Sequence, residues 1–338
     1  MRRLLLLACL AGLALPARAE PVRFVAFGDM PYCRPEAPER CAAEEGRVAR
    51  LMATINAARP AFSIFVGDTK GGAELCTDDT LLRAFTWMGL ADHPLVYTPG
   101  DNEWTDCWQD RAGRFDPQER LALLRQRFFA GTGSLGRRPM PLVRQAAPTV
   151  ENARWMRDGV LFLTLHVPGS NNGRPAEPGE PAARSLPQGE AALAEFTARD
   201  AANRAWLAEG FAAAPEARAA VISIQADMFY RQVCGHGYDS GYRAIRDAIA
   251  RAAAAFGRPV LLINGDSHVF VHHEPLEAAP NLTRLIVPGE DDVQAVVVTL
   301  DPAAEKPFRF ELIGEAGVPP QRPPCAGYTS SMRSTRSG

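Results

Sequence analysis

The stretch VYTPGDNEWTDC, residues 96–107, sets an apolar run directly against a cluster of side-chain oxygens. Val96, Tyr97 and Thr98 have the β-branched and aromatic character of a strand, and Pro99-Gly100 forces a sharp exit from it. Asp101, Asn102, Glu103 and Asp106 therefore gather at one strand tip. Three more apolar runs end in the same dipeptide: FVAFGD at Gly28-Asp29, IFVGD at Gly67-Asp68 and LLINGD at Gly265-Asp266. A single Gly-Asp after a strand is explained by turn or helix capping. Four are not, because neighbouring strands of an α/β sheet bring their carboxyl ends to one edge, where open sheets build their sites. Carboxylates within about 4–6 Å of one another raise each other's pKa, so such a group calls for a cation. Asp266-Ser267-His268 adds a nitrogen ligand, since residues two apart on an extended chain face the same side and both reach one ion.

Outward from these tips, strands are expected at 22–27, 62–66 and 95–98, with helices at 42–58, 77–90 and 117–129 between and after them. The first of these helices sets Val48, Leu51, Met52 and Ile55 on one face. Thr77 or Asp78, and Asp116, are the N-caps of the other two. A hairpin is expected from 149–156 and 160–167 around Asp158-Gly159, then a loop over 168–189 rich in turn formers. Helices at 190–214 and 242–256 alternate with strands at 219–224 and 260–264, and three further strands close the pattern near 282–287, 293–300 and 307–313. Two β-layers between helices would cover every apolar face of this α/β pattern.

The chain start has the form of a secretory signal peptide: basic Met1–Arg3, apolar Leu4–Leu15 and a small-residue cleavage site at Ala17-Arg18-Ala19. Residues 1–19 are therefore read as the signal, 20–318 as one domain and 319–338 as a mobile tail, with a periplasmic or secreted location. No later apolar run reaches the roughly 18 residues that span a bilayer. The formal net charge of −2 becomes about −5 without Arg2, Arg3 and Arg18, and only Lys70 and Lys306 are lysines. A balance so near neutral gives no indication of nucleic-acid binding. Without Cys9 the six remaining cysteines admit about 15 connectivities. Cys33 with Cys41 and Cys76 with Cys107 are the local pairings, leaving Cys234 to tie down Cys325 in the tail. Oligomeric state leaves no signature here.

The ordered set Gly28-Asp29, Gly67-Asp68, GDNE at Gly100–Glu103, the strand end SIQAD at Ser223–Asp227 and GDSH at Gly265–His268 resembles the motifs of the calcineurin-like metallophosphoesterases, which include the purple acid phosphatases. The resemblance spans roughly residues 22–300. It implies a four-layer αββα sandwich with two mixed β-sheets, of the metallo-dependent phosphatase type, and two metal ions at the strand tips. It also implies a phosphoester substrate, small or macromolecular.

The departures are specific. Pro31 stands where many members place a metal-binding His, Asp101 replaces a metal-binding Asn, and Asn102 replaces the His that assists the leaving group. Gln225 sits near the His of the fourth motif, with Asp227 as an oxygen alternative, and Asp266 replaces the first His of the last motif. The resulting ligand set is Asp29, Asp68, Asp101, Asn102, Asp227, Asp266 and His268. Oxygen-rich ligation favours Mn, Fe or Mg, as divalent or trivalent ions, over Zn. Asp68 is expected to bridge two ions roughly 3.5–4 Å apart. Asn102 and His166 are the catalytic candidates; Asn102 cannot titrate, so a proton for the leaving group comes from His166 or from water. The alternative is a catalytically inactive metal- or ligand-binding protein on the same scaffold. Against it, two positions have gained Asp where a decayed site would lose acids. Glu103 is expected to orient a ligand or a backbone amide, and a Cys76–Cys107 bond to fasten the 101–107 loop beside the one after Asp68.

Overall fold

The computed structural model of the chain describes residues 20–181, 187–315 and 323–328. The expected signal peptide and most of the expected tail lie outside the described residues. In chain order the elements are β1 (Val22–Phe27), α1 (Cys41–Ala57), β2 (Ser63–Phe65), α2 (Asp78–Leu82), α3 (Ala84–Met88), β3 (Leu95–Tyr97), α4 (Pro117–Phe128), β4 (Val143–Arg144), β5 (Ala153–Arg157), β6 (Val160–Thr164), the short turn α5 (Gly169–Asn172), α6 (Gly189–Ala212), β7 (Ala219–Ser223), α7 (Tyr230–Cys234), α8 (Arg243–Phe256), β8 (Val260–Asn264), β9 (Val271–His273), β10 (Leu282–Ile286), β11 (Gln294–Leu300) and β12 (Phe308–Gly314).

Among the described residues twelve strands form two mixed sheets, ordered β12-β11-β1-β2-β3 and β4-β5-β6-β7-β8-β10-β9. β1, β2 and β3 run parallel, and so do β6, β7, β8 and β10; β11 and β12 are antiparallel additions to the first sheet. Register levels the tips: Phe27 pairs with Phe65 and Phe65 with Tyr97, so the first three Gly-Asp pairs leave the sheet at nearly one height.

Three apolar layers follow from the strand alternation. Phe24, Phe62, Val96, Phe162, Leu261 and Val296 fill the space between the sheets. Val48, Leu51, Met52 and Ile55 of α1 cover the outer face of the first sheet with help from α3 and α4, and α6 and α8 cover the second. The expected αββα layering is thus the observed one. Asp116 caps α4, accepting from the amides of Gln118 and Glu119 at 2.8 and 3.0 Å, and Thr77 caps α2.

The expected helix over 77–90 divides at Arg83. Its backbone stays right-handed (φ −60°, ψ −22°), and the ladder tightens there, Thr86 N donating to Arg83 O at 2.9 Å. β4, β9, α5 and α7 were not foreseen; each is two to five residues long, too short for either periodicity to register. All three expected disulfides are present, Cys33–Cys41, Cys76–Cys107 and Cys234–Cys325. The last holds a described piece of the tail in which Tyr328 is fully buried. No helix among the described residues is long and apolar enough to cross a membrane.

Candidate metal centre

The four Gly-Asp tips converge. Asp29, Asp68, Asp266 and His268 all have left-handed backbones (φ 55°, 58°, 69° and 54°), a conformation for which Asp and His are among the few tolerated side chains. The glycines have a second purpose. A Cβ at Gly100 would lie 2.0 Å from Asp68 Oδ1 and one at Gly265 would lie 2.0 Å from Asp29 Oδ2. The third and fourth tips therefore each receive the carboxylate of another, and only glycine leaves the space.

Ligand atoms of Asp29, Asp68 and His268 lie within 4.8 Å of one another. His268 Nε2 is 3.4 Å from Asp29 Oδ1, while its Nδ1 is 3.1 Å from Glu290 Oε2. Asp68 Oδ2 accepts from Tyr32 Oη at 2.9 Å, Asn102 Nδ2 at 2.9 Å and Gln225 Nε2 at 3.1 Å. Asp29 Oδ1 accepts from the amide of Asp266 at 3.0 Å. Asp101 Oδ2 accepts from Ser170 Oγ at 2.8 Å, from the left-handed α5 turn. Asp29 Oδ2 and Asp101 Oδ1 are buried without a hydrogen-bond partner among the described residues.

The carboxylates of Asp68, Asp101 and Asp266 open into a cleft of about 410 Å³ whose lining also includes Tyr32, Asn102 and His268. Burial, then the charges of Asp101 and Glu103, push the Asp68 carboxyl well above its usual range. Burial and the charge of Asp101 do the same to Asp266. Burial alone would lower His268, but hydrogen bonds to Asp29 and Glu290 hold it at about 10. The donor set fits a metal ion: converging oxygens, one imidazole, two orphaned carboxylate atoms and mutual repulsion that a cation would relieve.

Glu103 takes the orienting role expected of it. Fully buried, its Oε1 accepts from the amides of Asp68 and Gly100 at 2.9 and 3.1 Å and from Tyr97 Oη at 2.9 Å, tying the second and third tips together. Beside it, Cys76 and Cys107 each place a sulfur 3.6 Å from the carbonyl oxygen of Asn102.

Two expected site residues are corrected by their surroundings. Asp227 keeps both oxygens occupied inside the protein, by an ion pair with Arg284, by Tyr328 Oη and by Ser267 Oγ at 2.6 Å. It pairs with a buried arginine and does not line the cleft; it steadies the Asp266 carboxylate through its amide at 2.8 Å. His166 is wholly buried, its Nδ1 2.7 Å from Glu151 and its ring 5.2 Å from that of Trp104, and it does not line the cleft. A proton donor must meet the substrate, so His166 is no candidate for that step. Residues that sequence reasoning missed are Tyr32, Gln225 as a donor to Asp68, Glu290 and Arg111. Only Tyr32 carried a signal, its place next to Cys33 at the end of GDMPYC.

This arrangement of two mixed sheets and flanking helices is similar to that of a solved structure, a dimetal phosphatase from Danio rerio. It is similar at a TM-score of 0.52 with 10% identity, over 87% of this chain and 99% of that one. The chain has the metallo-dependent phosphatase fold. A purple acid phosphatase from yellow lupin seeds matches at a TM-score of 0.46 with 11% identity, over 89% of this chain and 55% of that one. A Thermus thermophilus sulfate thiohydrolase matches at 0.42 with 12% identity, over 90% of this chain and 59% of that one. No family model matches the chain, and no curated protein matches it. On this metallo-dependent phosphatase fold the candidate centre sits at the tips of β1, β2, β3 and β8.

Proposed function

We propose that the protein is an exported, metal-dependent hydrolase of phosphoesters. The observation that carries this reading is the convergence of Asp29, Asp68 and His268, with the partnerless oxygens of Asp29 and Asp101, beside one open cleft that Asp68, Asp101 and His268 line. Asp29, Asp68 and His268 would hold one ion, and Asp68, Asp101 and Asn102 a second, with Asp266 beside both. One nitrogen among many oxygens favours Mn, Fe or Mg over Zn. Such ions supply an activated water and neutralise phosphoryl charge.

The chain's own residues prepare the site. Gln225 and Tyr32 orient Asp68, and Glu103 fixes the backbone that carries it. Burial, then the negative charge of Asp68, raises Tyr32 well above the ordinary phenol range, so its hydroxyl remains a donor on the cleft wall. Asn102 Nδ2 also donates into the cleft, 3.0 Å from Tyr32 Oη. Neither needs to lose a proton for a phosphoester with a good leaving group, where water completes the protonation. Three disulfides support an oxidising compartment, outside the cytosol.

Elemental analysis of the wild type beside Asp68→Asn, followed by a phosphoester screen with the ion found, tests the proposal. Bound Mn, Fe or Mg in the wild type, lost with turnover in the folded variant, is the expected result. A folded wild type that stays metal-free after incubation with these ions overturns it.

A further inference from the structure

We infer that Arg111 recognises a second anionic group on the substrate, so that the cleft selects phosphoesters carrying a further phosphate beyond the scissile phosphoryl. The inference rests on the hydrolase reading above. Arg111 stands on the short turn at 110–112, four residues after Cys107, on the wall of the cleft that the Cys76–Cys107 bond holds in place. Its Nε donates to Gln109 Oε1 at 2.8 Å, which sets the plane of the guanidinium. The Asp106 carboxyl on the same wall feels its charge, but among the described residues no carboxylate lies within ion-pair distance of Arg111, and its one hydrogen bond is through Nε. The other arginine of the cleft differs: Arg34 is held by both oxygens of Asp291, at 2.9 and 2.8 Å. A guanidinium beside a group of acids that closes no ion pair with any of them keeps its fork for a ligand.

Position decides which part of the ligand it meets. A Cβ added at Gly72 would lie 2.8 Å from Asn102 Oδ1 and 3.6 Å from an Arg111 terminal nitrogen, so the two side chains flank one gap that glycine leaves open. Asn102 touches Asp68 directly. Arg111 is not among the donors to Asp68 and, exposed where Asn102 is buried, stands on the solvent side of that gap. A phosphoryl group set against Asp29, Asp68 and His268 therefore leaves Arg111 facing the next anion along the substrate.

The test is equilibrium binding by calorimetry to the full-length, Mn-loaded protein at fixed free Mn, with inorganic phosphate and with methylenediphosphonate, for wild type, Arg111→Ala and Arg111→Lys. Arg111→Ala is expected to weaken the diphosphonate by about 10- to 100-fold, the loss of a charged bidentate contact, and to change phosphate by less than about twofold. Arg111→Lys should recover part of the loss, as a point charge does. Equal losses for both ligands, or none for the diphosphonate, overturn the inference and leave the hydrolase reading standing. A wild type that takes up Mn yet binds neither ligand overturns both.

Discussion

The Asp29 carboxylate occupies the space that a side chain at Gly265 would fill, Oδ2 lying 2.0 Å from an added Cβ. Gly265→Ala is therefore expected to push Asp29 away from Asp68 and His268. The overlap should cost about 1–3 kcal/mol of stability, and the larger effect should be lost metal. Thermal unfolding and elemental analysis of the purified variant measure both. Full metal occupancy in Gly265→Ala would remove Asp29 from the ligand set.

Glu103 makes a graded prediction. Glu103→Ala leaves three buried amides and the Tyr97 hydroxyl without their acceptor, at a cost of about 2–4 kcal/mol. Glu103→Gln retains an acceptor oxygen and should lose about 1 kcal/mol. Urea denaturation separates the two. Equal losses would mean that the negative charge, and not its acceptor geometry, holds the second and third tips together.

The tips were legible because Gly-Asp after an apolar run is a local pattern repeated four times, and because left-handed Asp at such ends is physically permitted. The layers were legible from period: α1 shows its core face at Val48, Leu51, Met52 and Ile55, and β8 is apolar from Val260 to Ile263. What surrounds the tips was not. Glu290 and Arg111 reach the cleft, and Gln225 reaches Asp68 beneath it, from turns whose residues follow no period, so only the folded chain brings them there. Arg284 lies in the middle of β10 with no exposure, and its counter-charge, Asp227, is on the loop after another strand. Local sequence presents Asp227 as a strand-tip acid like the others, and nothing nearby announces the arginine that uses it. His166 misled in the same way, since Glu151 comes to it across the β5–β6 hairpin.

Asp227→Asn puts that correction to measurement. Breaking a buried ion pair by removing one charge typically costs about 3–5 kcal/mol, here at Arg284. Metal content should stay near wild type, because Asp29, Asp68 and His268 are untouched. Loss of the ion from a folded Asp227→Asn protein would restore Asp227 as a ligand.

The Glu151–His166 pair predicts how stability responds to acid. Burial alone would raise Glu151, but the hydrogen bond from His166 and the charge of Arg125 bring it down to about 2, below the ordinary 4.5. Burial lowers His166 from 6.5, outweighing the Glu151 carboxylate that raises it. Both values lie below those of the unfolded chain, so the unfolded state takes up protons first as pH falls. The contribution of His166 is whole above about pH 6.5 and drains below it; that of Glu151, on the order of 3 kcal/mol, drains from about pH 4.5 toward 2. Urea midpoints should fall steadily from pH 7 to pH 4 in the wild type. In Glu151→Gln they should start lower and fall less below pH 4.5. His166→Gln should lose stability at pH 7 while leaving the pH profile of any turnover in place, since His166 does not line the cleft. A His166→Gln protein as stable as wild type but without turnover would return the proton-donor role to His166.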